Sequence, residues 1–156
     1  MDSISNKIEF FYQFTSNESD IPKRLRKDPS TAFRIEGDFK IRINDQLYFE
    51  ENIALLEFYL YLNKWISKIE KKGTVPEFRY YSLEYDEDEP IISLLPFDKK
   101  ARINSIWEVQ KIYNVFDLNY IVEKLTSLCF QLGEDIERHY NIKLKTFIDK
   151  VPLKEY

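Results

Sequence analysis

Residues 33–43 constrain the chain more than any other stretch. Phe33, Ile35, Phe39, Ile41 and Ile43 alternate with Arg34, Glu36, Asp38, Lys40 and Arg42. A period of two puts the apolar set on one face and the charged set on the other, which is a half-buried antiparallel strand. Gly37 interrupts the apolar row and marks either a bulge or a close approach by another element. Asn44-Asp45 tolerates left-handed backbone and turns the chain into a second strand, Gln46 to Glu50. The unit is a hairpin.

Other periodic segments follow on either side. Ile8, Phe10, Tyr12 and Phe14 alternate as a further strand, and the polar stretch 15–31, with Pro22 and Pro29, reads as a loop. After Asn52, read as an N-cap, the period becomes helical: Ile53, Leu56 and Leu60 share a face flanked by Leu55, Tyr59, Leu62, Ile66 and Ile69, and Gly73 supplies the stop. Strands are expected over 78–85, 90–97 and 102–107, joined by the hairpin-length connectors 86–89 and 98–100. Residues 108–116 fit helix or loop. Asp117 caps a second long helix whose inward stripe is Ile121, Leu125, Leu128, Leu132 and Ile136, ending near Tyr140-Asn141. The tail from Ile142 fits a short helix or an edge strand. The expected fold is α+β: one antiparallel sheet of five to six strands against two long helices, in a single domain spanning residues 1–156.

Several chemistries are poorly served by these residues. The chain has one cysteine, Cys129, and one histidine, His139, so an intramolecular disulfide and multi-cysteine zinc sites are excluded. Those two residues lie ten apart on one predicted helix, about 15 Å along its axis, too far to share a proton. Cys129 reads as core, and His139 as a partner for the negative end of its helix. Gly37, Gly73 and Gly133 are isolated, so no phosphate-binding loop is present. A calcium loop starting at Asp86 would need glycine sixth and glutamate twelfth, where Ile91 and Phe97 stand. No cofactor and no metal are expected, and the chain reads as non-enzymatic. The net charge of −4, from 27 acids against 23 bases, gives nucleic acid no overall attraction. The basic group Lys23, Arg24, Arg26 and Lys27 reads as a solvated loop. Met1 to Asn6 lacks a basic start and a long apolar run, and the greasiest stretch, 53–66, is interrupted by Glu57, Asn63 and Lys64. No membrane segment is expected, and the location read from this is cytoplasmic.

The densest charge in the chain is Glu84-Tyr85-Asp86-Glu87-Asp88-Glu89. A solvated hairpin tip accounts for it. The functional alternative is a partner-binding epitope: Glu84, Asp86, Glu87, Asp88 and Glu89 steer the partner and Tyr85 anchors it. Aromatic residues make up 16% of the chain. Most belong in the core, but alternation turns Tyr80 and Tyr81 to opposite faces, which points at least one of them away from the helices.

With its alternating opening strand, Phe33-Arg34-Ile35-Glu36-Gly37-Asp38-Phe39-Lys40-Ile41, its size, acidity and element order, the chain resembles small bacterial toxin-immunity proteins. The resemblance implies an intracellular protein that binds another protein and neutralises a cognate toxin domain. Two other readings stand beside it. One is a carboxylate-dependent enzyme of unfamiliar type, calling for a deep pocket with two or more acids of raised pKa. The other is a homo-oligomer joined through a tyrosine-rich face.

Overall fold

The computed structural model describes residues 6–155. Met1 to Ser5, at the start of the amino-terminal stretch read above, and Tyr156 lie outside the described residues. The alternating segment forms a strand from Glu36 to Ile43 (β2), placed between β1 (Ile8–Phe14) and β3 (Gln46–Ala54) in an antiparallel three-stranded sheet. Strand pairing starts three residues later than the alternation, because Phe33 closes a 3-10 turn, Pro29–Phe33, capped by Asp28. The turn Asn44-Asp45 has φ of 51° and 66°, the left-handed geometry that suits the twist of a two-residue hairpin. Gly37 marks a close approach: a Cβ there would lie 2.3 Å from Leu55 Cδ1 and 2.6 Å from the Gln13 carbonyl oxygen. The bulge falls instead between Ile41 and Arg42.

β3 runs beyond its expected end at Glu50, so Asn52 is a strand residue and not a helix cap. Its amide donates to Thr15 Oγ1 at 2.9 Å and Asp38 Oδ1 at 3.1 Å. The first helix, α1, spans Leu55–Lys72, and its leading N–H donates to the Ile35 carbonyl at 2.8 Å. One orphan donor of the helix start is thereby satisfied by main chain. Gly73, with φ 69°, ends the helix as expected.

The second sheet is β4 (Phe78–Tyr80), β5 (Ile92–Phe97), β6 (Lys100–Ser105) and β7 (Phe116–Asp117), antiparallel in that order. The expected single sheet of five to six strands is therefore two sheets of three and four. The outer edge of β3 is taken by irregular chain: Val109 N donates to the Tyr48 carbonyl and Gln110 Nε2 to the Leu47 carbonyl, each at 2.8 Å. A loop in that place leaves no edge for β6 to join. The second helix, α2 (Leu118–Tyr140), starts after Asp117, whose carboxylate pairs with Lys100 Nζ and makes no cap bond. Asn141 ends it in left-handed geometry, φ 54°. The tail takes one 3-10 turn, Leu144–Thr146.

α1 is the layer that both sheets share. The ring of Phe58 lies 4.9 Å from that of Phe39 in the first sheet and 5.0 Å from that of Tyr80 in the second. Such aromatic pairs each add about 0.5–1.5 kcal/mol beyond simple burial. α2 approaches α1 closely at Gly133, where a Cβ would lie 2.8 Å from Tyr59 Cε2. Among the described residues no helix is long and apolar enough to cross a membrane.

Candidate functional site

The strand expected over 78–85 stops at Tyr80. Beyond it, main-chain donors are captured by local side chains: Leu83 N donates to Glu57 Oε2 at 2.9 Å and Glu84 N to Ser82 Oγ at 3.1 Å. These bonds replace the ladder and turn the chain out of the sheet. The loop closes where Ile91 N donates to the Tyr80 carbonyl at 2.7 Å. Residues 81–90 thus form a surface loop with its ends joined, well beyond a four-residue hairpin tip. Tyr80 and Tyr81 are both buried, because the chain leaves strand geometry between them; the expectation that one points away from the helices is not met.

The acidic run lies on this loop. Glu84, Tyr85, Asp86, Asp88 and Glu89 are exposed, and Glu87 is half-buried. The Glu87 carbonyl accepts from Lys154 Nζ at 2.8 Å, which ties the loop to the carboxyl-terminal tail. Tyr85 is 40% exposed and meets Trp107 edge to face, with ring centroids 4.8 Å apart. Asp86, Glu87, Asp88 and Glu89 form one wall of an open cleft of about 460 Å³, and Ile106 and Trp107 form the other. The structure therefore brings all six sequence-derived residues onto one surface loop and adds an aromatic wall from the segment after β6.

Electrostatics extend the site further. Partial loss of hydration, and then the Glu36 carboxylate, push the Glu84 carboxyl above the ordinary glutamate range. The Tyr85 hydroxyl is likewise held up, first by burial and then by Glu84, Glu51 and Glu36. Glu36 at the start of β2 and Glu51 on β3 thus belong to the same negative field. Glu51 stands in the apolar row Phe49, Glu51, Ile53, a break that becomes visible once the strand is carried past Glu50. Trp107 was readable only as the last residue of an expected strand.

Beneath the loop sits Glu57, 0% exposed, with Oε1 lacking a partner among the described residues. Loss of hydration pushes its carboxyl up, the Ser82 and Leu83 hydrogen bonds oppose this, and Glu84 adds to it. Glu57 is sealed from solvent while Glu84 is exposed. Among the described residues no group of three or more histidine, cysteine, aspartate or glutamate side chains could hold a metal ion. Cys129 is buried, and the loss of hydration pushes its thiol up to about 12. His139 stacks on Phe14 at 4.7 Å with Nε2 3.1 Å from the Ser16 carbonyl. Of the basic group, Arg26 pairs with Glu18 at 2.9 Å.

No curated protein and no solved structure matches the chain. A family described as a domain of unknown function (DUF7878) matches residues 10–138, a span that includes the acidic loop and Trp107, and the chain belongs to that family.

Proposed function

We propose that this DUF7878 protein is a non-catalytic, intracellular binding protein whose acidic loop docks onto a basic surface of another protein. The narrower form of the proposal is immunity: the bound partner is a toxin domain whose active surface the loop occludes. One observation carries the reading. Five carboxylates and Tyr85 stand on a loop joined at its neck and tethered through Glu57 and Lys154; Asp86, Glu87, Asp88 and Glu89 line an open cleft with Trp107, and Tyr85 packs edge to face on the Trp107 ring. A tethered loop loses little freedom on binding, and Tyr and Trp are the side chains that most often dominate such contacts. The concentrated negative charge accelerates encounter with a positive partner.

The test is co-expression with the carboxyl-terminal domain encoded by the reading frame immediately upstream. Restored growth, and a purified complex whose association slows as salt rises, support the proposal. The variant with Glu84, Asp86, Glu87, Asp88 and Glu89 all replaced by serine is then expected to associate at least about tenfold more slowly, with a flattened salt dependence. No rescue by the wild-type chain refutes immunity, and unchanged association kinetics in the variant refute the loop as the docking surface.

A further inference from the structure

A second surface lies on the other end of β6. Along β5 and β6, Leu94, Ala101, Ile103 and Ser105 point inward, while Leu95, Phe97, Lys100, Arg102 and Asn104 are exposed. Leu95 pairs across the ladder with Arg102, and Phe97 with Lys100, so these four share one outward face. Arg102 stands there between two rings, its guanidinium carbon 5.6 Å from the Phe97 centroid and 5.2 Å from that of Tyr113. Both distances fall within the range of cation–π attraction.

The clamp is rigidly built. Tyr113 is 78% exposed, yet the chain that carries it is fixed to β6 by its neighbour Asn114, itself buried. Asn114 Oδ1 accepts from Ile103 N at 2.8 Å, and its Nδ2 donates to the Ile103 and Ile112 carbonyls, each at 3.1 Å. Arg102 Nε donates to the Asn114 carbonyl at 3.3 Å, which leaves the two terminal nitrogens directed away from that bond. Among the described residues no carboxylate lies within ion-pair distance of Arg102, whereas neighbouring Lys100 is paired with Asp117. A guanidinium presented between two rings, beside exposed Leu95, joins the residue types that concentrate binding energy at interfaces.

We propose that the Phe97–Arg102–Tyr113 clamp is a docking surface for an acidic peptide segment of a protein partner. The guanidinium receives an aspartate or glutamate carboxylate as a planar fork, and Leu95 and Phe97 take the apolar residue beside it. Charge complementarity selects this occupant. A nucleic acid strand needs a track of cations matched to successive phosphates; beside Arg102 stand Lys100, which is paired with Asp117, and the neighbouring Lys99 and Lys111, too few for such a track on a chain of net charge −4. The surface is distinct from the acidic loop, so the proposal does not depend on the reading of that loop.

The test is selection of a random-peptide display library on the immobilised full chain, with the enriched peptides then measured by fluorescence anisotropy. The expected result is enrichment of peptides that share an acidic residue next to an apolar one. They should bind Arg102→Ala and Tyr113→Ala at least about tenfold more weakly and bind Asp86→Ser/Asp88→Ser unchanged. Arg102→Lys should fall in between, since an ammonium lacks the planar fork. Matching melting curves for the variants confirm that only surface has changed. Three results overturn the proposal: no enrichment of acidic peptides, acidic peptides indifferent to Arg102, or Arg102-dependent binding of a labelled oligothymidine in their place. Basic peptides sensitive only to the Asp86 and Asp88 substitutions speak for the acidic loop and against the clamp.

Discussion

Replacing Glu57 with glutamine tests how the acidic loop is held. The carboxyl is fully buried, accepts the Leu83 N–H through Oε2 and leaves Oε1 unpartnered among the described residues. Burial raises its folded-state pKa above the ordinary 4.5, so the folded protein holds this proton more tightly than the unfolded chain does. Below pH 4.5 both states are protonated and no penalty arises. As pH rises from there towards the folded-state value, only the unfolded chain ionises, and stability is lost at about 1.4 kcal/mol for each pH unit. Glutamine keeps the oxygen that accepts from Leu83 and never ionises. Glu57→Gln is therefore expected to match the wild type near pH 4 and to exceed it at pH 7.5. The gain should be on the order of 1–3 kcal/mol, the scale for a buried polar group short of a partner. With a urea slope of about 2 kcal/mol/M, this moves the midpoint by roughly 0.5–1.5 M. Urea titrations at several pH values, with hydrogen exchange of the Leu83 amide as a local reading, measure it. A stability difference that stays flat from pH 4 to 8, or a variant weaker than wild type at neutral pH, refutes the reasoning.

Three further outcomes are expected. Gly37→Ala places a Cβ 2.3 Å from the buried Leu55 side chain and 2.6 Å from main chain; overpacking of about 1–3 kcal/mol follows, and each kcal/mol lowers the melting temperature by about 2–4 °C in calorimetry. An unchanged melting temperature removes the close approach as the reason for glycine. Trp65 is buried and Trp107 half-buried beside the carboxylates, so caesium should quench fluorescence more than iodide, with the preference lost when the five loop acids become serine. Equal quenching by the two ions in the wild type contradicts the negative cleft. Cys129, its thiol held up at about 12 by burial, should resist a disulfide reagent at pH 8 in the native protein and react promptly in urea. Rapid reaction in buffer argues against its burial.

How much was legible in the sequence depended on how local the cause was. Alternation in 33–43, the left-handed turn at Asn44-Asp45, the stop at Gly73 and the inward stripe of α2 follow from side-chain period and backbone preference, both of which act over a few neighbours. The acidic run was equally plain, since charge density needs no partner to be seen. Asn52 shows the limit: it has good cap chemistry, but Thr15 and Asp38, distant in sequence, claim its amide for the strand.

Tertiary structure decided the rest. Splitting the sheet required irregular chain at 109–110 to occupy the edge of β3, a pairing with no local signature. Ending β4 at Tyr80 required Glu57, 26 positions away from Leu83, to take its N–H. Other contacts between separate segments bring Tyr85 onto Trp107 and, through the Asn114 side chain bonded to Ile103, hold Tyr113 against Arg102. Hydrogen-bond donors and rings accept any partner of suitable geometry, and only the folded chain fixes which one arrives.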